Sequence, residues 1–218
     1  MNVKGIHKTS LIDYPGKICS IIFSGGCNMR CLYCHNPELA CNSSGISGIS
    51  NEEVLDLVKA RRRRGLIDGV SLSGGEPTLA KNIEPFIREL RDAGLAIKLD
   101  TNGLNPSLVE KLLAGKLLDY VAMDVKTSPE KYGDLTGARN AFPLVLRTIT
   151  TVRESGIDYE LRTTCVPHYV TMEDFISIRG EIGHVSRYYL QQFVNLVTLD
   201  ESMGKVVPYS VTKLRVFR

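Results

Sequence analysis

The sequence predicts an α/β protein whose parallel strands form an incomplete (β/α)6 barrel or an open sheet. Three observations carry that prediction. Short apolar runs alternate with helical stretches of about ten to fifteen residues, the pattern of βαβ units. Polar and charged residues gather after each apolar run, where the C-terminal ends of parallel strands converge on one mouth. No repeat, low-complexity tract or Pro/Gly-rich linker divides the 218 residues, so one domain over 1–218 is expected, with its core at about 17–195.

The elements follow in order. Residues 17–24 (KICSIIFS) read as the first strand, with 1–16 outside the sheet ahead of it. Residues 51–64 read as a helix. Ser50 is set to cap it, Glu53 stands where a capping box needs it, and Val54, Leu55 and Val58 share one side. Residues 68–73 read as a strand and 82–93 as a helix closed by Gly94. Residues 95–99 read as a strand, and 106–114 as a helix that starts on Pro106, whose missing N–H is no loss in a first turn. A strand at 119–125, a helix at 141–155, a strand at 159–166, a helix at 172–182 and a strand at 186–193 complete the series. No element is assigned after Asn195.

Charge excludes some classes of function. Twenty-seven basic and 24 acidic residues leave a net charge of +3, too small to imply a nucleic-acid or membrane partner. The N-terminal segment lacks the apolar stretch of a signal peptide, and no apolar run approaches the length that spans a bilayer. A cytoplasmic protein is expected, where thiols stay reduced and clustered cysteines hold metal or do chemistry.

Of six cysteines, Cys27, Cys31 and Cys34 fall within eight residues, in the loop after the first strand. Gly25 and Gly26 ahead of them let the backbone curl. Iron–sulfur clusters are normally held by four thiolates, so three leave one iron open for a small molecule. Other readings compete. Zinc would need a fourth ligand, and Cys19, Cys41 and Cys165 are scattered. The segment Cys31-x-x-Cys34-His35 also matches a haem attachment pattern. Simple buried cysteines are the blandest possibility.

Further candidates sit at the later strand ends. Gly74 and Gly75 would let backbone carbonyls approach a ligand's ammonium group, and Glu76 would add an anion for the same cation. On this reading Gly75→Val loses the ligand and keeps the metal. Asp100, Thr101 and Asn102 follow the third strand. Asp124 and Lys126 end the fourth, Arg162 lies in the fifth, and Gln191 and Gln192 end the sixth. Arg162 suits bidentate capture of a carboxylate; the alternative for these charges is a structural ion-pair network. Arg61, Arg62, Arg63 and Arg64 form a basic run at a helix C-terminus. A solvated, dipole-favoured face explains it, with docking of an acidic electron donor as the other reading.

The spacing Cys27-x3-Cys31-x2-Cys34, with Tyr33 before the last cysteine and Gly74-Gly75-Glu76 later, resembles the radical S-adenosylmethionine (SAM) superfamily. The similarity runs from about residue 9 to 193, nearly the whole chain. It implies a barrel fold, a 4Fe–4S cluster on the three cysteines, and SAM bound to the open iron and cleaved to a 5′-deoxyadenosyl radical. Tyr33, Gly74, Gly75, Glu76, Asp100, Thr101 and Asn102 would then bind the cofactor. LDTNG, Asp-x-Lys and Arg are closest to glycyl-radical-enzyme activating enzymes, which would make Asp124, Lys126 and Arg162 catalytic. The opening KTSLIDYPGK and FSGGCNMRCLYCHNPEL most resemble activating proteins of anaerobic ribonucleoside-triphosphate reductase. That resemblance implies a glycyl radical enzyme as partner and flavodoxin or ferredoxin as electron donor. Residues 35–50 hold only Cys41, so no second cluster is expected. The remaining alternatives are a radical SAM enzyme acting on a small molecule, such as a 7-deazaguanine synthase, and a non-catalytic metal-binding protein.

Overall fold

The structure is a computed structural model that describes residues 1–42 and 45–216. Seven strands make one sheet in sequence order: β1 (Val3–Ser10), β2 (Cys19–Ser24), β3 (Gly69–Gly74), β4 (Ala96–Thr101), β5 (Tyr120–Asp124), β6 (Asp158–Cys165) and β7 (Tyr188–Gln192). Strands β2 to β7 run parallel, while β1 pairs antiparallel with β2 from Val3 opposite Ser24 to Ser10 opposite Cys19. The sheet does not close, so the six parallel strands form the incomplete barrel.

Strand β1 corrects the reading that left residues 1–16 outside the sheet. Its sequence, VKGIHKTS, has few apolar residues and no clean alternation. An edge strand with one neighbour needs neither, which is why periodicity missed it.

Helices α1 (Pro37–Ala40), α2 (Asn51–Arg63), α3 (Ile83–Asp92), α4 (Pro106–Ala114), α5 (Tyr132–Thr136), α6 (Phe142–Glu154), α7 (Met172–Ile182) and α8 (Val211–Val216) include the five expected long ones. The capping box at Ser50 and Glu53 is formed, and α7 has a second one through Thr171 and Asp174. Neither α5 nor α8 was foreseen; both are too short to show a helical period.

Alternation along the parallel strands divides the core. Ile22, Val70, Leu72, Ile97, Leu99, Val121, Met123 and Leu161 belong to one apolar cluster with Val54, Ile87, Leu90, Val109, Val145 and Ile149 of the helices. Burying each such side chain contributes about 1.5–3 kcal/mol before chain entropy is counted. The alternate residues share a second, smaller cluster in which Tyr14, from the β1–β2 connection, meets Cys19, Ile21, Tyr120 and Ala122. The Tyr14 and Tyr120 rings lie 5.9 Å apart.

The tail after Asn195, left unassigned from sequence, returns to the cysteine loop. The Asp200 N–H donates to the Leu32 carbonyl at 2.9 Å, and Met203 is buried. Helix α2 ends at the opposite pole: Arg61 bonds Thr9 near the end of β1, and Arg62 lies 3.5 Å from Asp68. An electron donor docked on that basic run would face the N-terminal ends of the parallel strands, away from the cysteines. No helix among the described residues is long and apolar enough to cross a membrane.

Candidate active site

The mouth of the sheet is assembled from loops stitched to one another. After β2, the Gly26 N–H donates to the Leu39 carbonyl, and Gly26 takes φ +93°, a conformation that suits glycine. The cysteine loop is then held on both flanks. Arg30 N–H reaches the Thr136 carbonyl at 2.7 Å and Leu32 N–H the Leu135 carbonyl at 3.0 Å, while Asp200 binds from the other side. Helix α5 and the tail therefore fix the loop, and neither carried a sequence signal.

Gly74 and Gly75 bring the second loop against the first. Gly75 N–H donates to Ser24 O at 2.8 Å and Glu76 N–H to Gly26 O at 2.7 Å. A Cβ on Gly74 would collide with the Ser24 backbone, and one on Gly75 with the Gly26 carbonyl. The space a side chain at 75 would take belongs to the cysteine loop. Gly75→Val would therefore disturb the cysteine loop as well as any ligand, whereas the expectation from sequence has it spare the loop.

Glu76 is buried and already engaged. Its carboxylate accepts from Thr78 N–H at 3.1 Å, the Thr78 hydroxyl at 2.6 Å, the Thr101 hydroxyl at 2.8 Å and Asn102 N–H at 2.7 Å. Burial pushes its pKa up, and these donors oppose that. The sequence reading gave Glu76 to a ligand's cation; in the structure it ties the loops after β3 and β4 together. Asn102 continues the stitching, its amide donating to Asn28 Oδ1 at 2.8 Å and lying 3.7 Å from Cys27 Sγ.

The opposite wall is ionic. Arg162 Nε donates to Asp124 at 2.9 Å, and its Nη1 lies 3.6 Å from Asp100 and 3.7 Å from Glu160. Lys126 pairs with Asp124 at 2.9 Å, and Lys98, 2% exposed, pairs with Asp100. Three cations thus face three carboxylates. Burial pushes the Asp124 acid up, but Arg162 and Lys126 outweigh it and hold its pKa below the usual carboxylate range. Burial lowers Lys126 and Arg162 in turn, yet Asp124 carries both above their ordinary values. These three stay charged across the neutral range. Arg162 is enclosed by carboxylates, the ion-pair alternative, rather than open to clamp another. Lys98 and Glu160 were missed from sequence. Their signal was period two: each stands two residues before an identified charge, on the same face of its strand.

All thirteen residues singled out for metal, cofactor or catalysis line one cavity of about 240 Å³, which His35 and Gln191 also border. His35 sets its Nδ1 3.1 Å from the Val197 carbonyl and stacks on Phe193. Among the described residues, no three His, Cys, Asp or Glu side chains converge as the ligands of one metal ion would. The three thiols instead border a shared space, a donor set that suits a cluster whose irons each take a different sulfur. Burial pushes Cys31 up to about 12, so its thiol must give up a proton to bind metal. The Tyr33 hydroxyl is buried without a well-formed hydrogen bond, with Thr164 as its side-chain neighbour.

Comparison with known proteins agrees with this geometry. Residues 21–182 match the model of the radical SAM superfamily. A Methanocaldococcus jannaschii protein assigned as a glycyl-radical enzyme activating enzyme is 34% identical over 98% of this chain and 88% of its own. A pyruvate formate-lyase-activating enzyme of Clostridium pasteurianum is 31% identical over 76% of this chain and 68% of its own. Streptococcus suis SuiB, solved with S-adenosylmethionine, superposes with a TM-score of 0.67 at 19% identity. That match covers 90% of this chain and 45% of SuiB, a likeness of fold.

Proposed function

The chain belongs to the radical SAM superfamily, and from that premise we propose that it is an activating enzyme that takes a hydrogen atom from a backbone glycine of a glycyl radical enzyme. The observation that carries the reading is the cavity that joins three cysteine thiols to a wall of paired charges. In this reading Cys27, Cys31 and Cys34 hold a 4Fe–4S cluster, and one iron is left for SAM. The loops of Gly74, Gly75, Thr101 and Asn102, with the Tyr33 hydroxyl, shape the SAM site.

Bound together, the cluster and SAM supply a radical that abstracts hydrogen. The chain's own residues bind, orient and exclude water. Asp124, Lys126 and Arg162 do not exchange protons near neutral pH, so they act as fixed charges. Homolytic removal of a hydrogen atom needs no side-chain base, and a peptide backbone brings no net charge into a cavity whose ions are already paired.

The target we propose is anaerobic ribonucleoside-triphosphate reductase, with flavodoxin or ferredoxin supplying the electron. The support is the opening segment KTSLIDYPGK and the cysteine loop that follows. The test is anaerobic reconstitution, a count of about four iron and four sulfide per chain, and mixing with the reductase. A glycyl doublet in electron paramagnetic resonance is expected. Efficient turnover of a free small molecule with no protein radical would overturn the activase reading.

A further inference from the structure

Among the three thiols, Cys27 differs in its hydrogen bonding. Its sulfur lies 3.4 Å from the Met29 N–H and 3.7 Å from Asn102 Nδ2. The Cys31 sulfur contacts the Met29 thioether, and among the described residues no N–H donor is directed at Cys31 or Cys34.

The Asn102 side chain is fixed in this role. It is 6% exposed. Its Oδ1 accepts from Leu104 N–H at 3.0 Å, which makes Nδ2 the atom that faces the cysteine loop. Nδ2 donates to Asn28 Oδ1 at 2.8 Å, and the Asn102 N–H donates to Glu76 at 2.7 Å. With both ends of the amide and the backbone engaged, the group cannot turn from Cys27 without losing other bonds. From sequence Asn102 is expected to serve the cofactor SAM; in the structure its amide faces the Cys27 sulfur.

We propose that Asn102 is a positioning residue for Cys27, and that its N–H···S contact sets how readily the cluster accepts an electron. The inference rests on the reading that the three cysteines hold a 4Fe–4S cluster. A reduced cluster carries one more electron than the oxidised one, taken from an external low-potential reductant, and shares that charge with its sulfur ligands. A donor aimed at one sulfur stabilises the reduced state and raises the potential.

The measurement is a redox titration of the reconstituted protein, read by the signal of the reduced cluster, with iron content and melting temperature measured alongside. Asn102→Ala is expected to hold about tenfold less reduced cluster at a set potential, a midpoint about 59 mV more negative for one electron. Asn102→Asp keeps the shape but replaces the donor with an acceptor, so it should move further the same way. Midpoints that stay at the wild-type value, or move positive, would overturn the inference. So would loss of iron from both variants at an unchanged melting temperature, which would make Asn102 a brace of the loop. An iron-free wild type would sink the cluster reading and this inference with it. An iron-loaded wild type with unmoved variants would sink this inference alone.

Discussion

The wall of the pocket built by the loops after β2, β3 and β4 is held by directional hydrogen bonds from backbone and uncharged donors, whereas the wall from strands β4, β5 and β6 is held by paired charges. On the first, Ser24, Gly26, Thr78 and Thr101 meet Gly75 and Glu76 through short directional bonds. On the second, Arg162, Lys126 and Lys98 are balanced by Asp124, Asp100 and Glu160. The difference separates two tasks. Directional bonds place atoms, and a shift of the loop shifts the thiols. Paired charges create a field across the pocket, and their weakness is the loss of any one member.

The comparison breaks most severely at the cysteines. Cys31→Ala should empty the loop of iron and abolish SAM cleavage, while Cys41→Ala, at an exposed thiol outside the cavity, should keep both. Iron analysis after anaerobic reconstitution decides it. Retained iron in Cys31→Ala would end the assignment of the first wall to metal.

On the ionic wall, Asp124→Asn should cost about 3–5 kcal/mol by leaving Arg162 and Lys126 without their shared partner. Its pH dependence has a definite sign. The folded-state pKa of Asp124 is held below the unfolded value of about 3.9, so its contribution is complete above that pH and drains away as pH falls through it. Denaturant melts at pH 5 and pH 3 should show a smaller loss of stability on acidification in Asp124→Asn than in wild type. An equal loss would mean that Asp124 is not held by these ions.

Gly75→Ala sharpens the first wall. Its Cβ would press on the Gly26 carbonyl, and overpacking of this kind costs about 1–3 kcal/mol. Iron content and SAM affinity should fall together. If affinity fell with iron unchanged, the glycine would serve the ligand alone. The smallest effect is expected outside both walls. Ser50→Ala removes the cap of α2 and should cost about 1 kcal/mol with iron content unchanged. Urea melts and iron analysis read both.

Much of this was legible from residues alone. The α4 and α7 boundaries and the Ser50 cap are local signals that the structure reproduces, and the cysteine spacing is a local signal whose three residues line one cavity. The strand ends carried the pocket because parallel strands deliver their C-terminal loops to one place. Other parts depended on partners far away in sequence. Strand β1 is polar and is made by its pairing with β2. Thr136 and Asp200 gain meaning only by touching the cysteine loop. Glu76 looked like a free anion because its four donors lie at Thr78, Thr101 and Asn102, and Arg162 looked open because Asp124 and Asp100 belong to other strands.

The staples of the cysteine loop also bear on how the protein is made. Cys27, Cys31 and Cys34 leave the ribosome early, together with the β1–β2 hairpin. The groups that grip them at Arg30 and Leu32 come from residues 135 and 136 and from residue 200. For most of translation the three thiols therefore sit on a loop without these outer braces. Chains synthesise at about 5–20 residues per second and fold as units, so the cysteine loop takes its full shape only near the end of synthesis. On the proposed function, delivery of iron and sulfide is then a late event, and a nascent chain stalled in β6 would carry all three cysteines on a loop that still lacks its brace from residue 200.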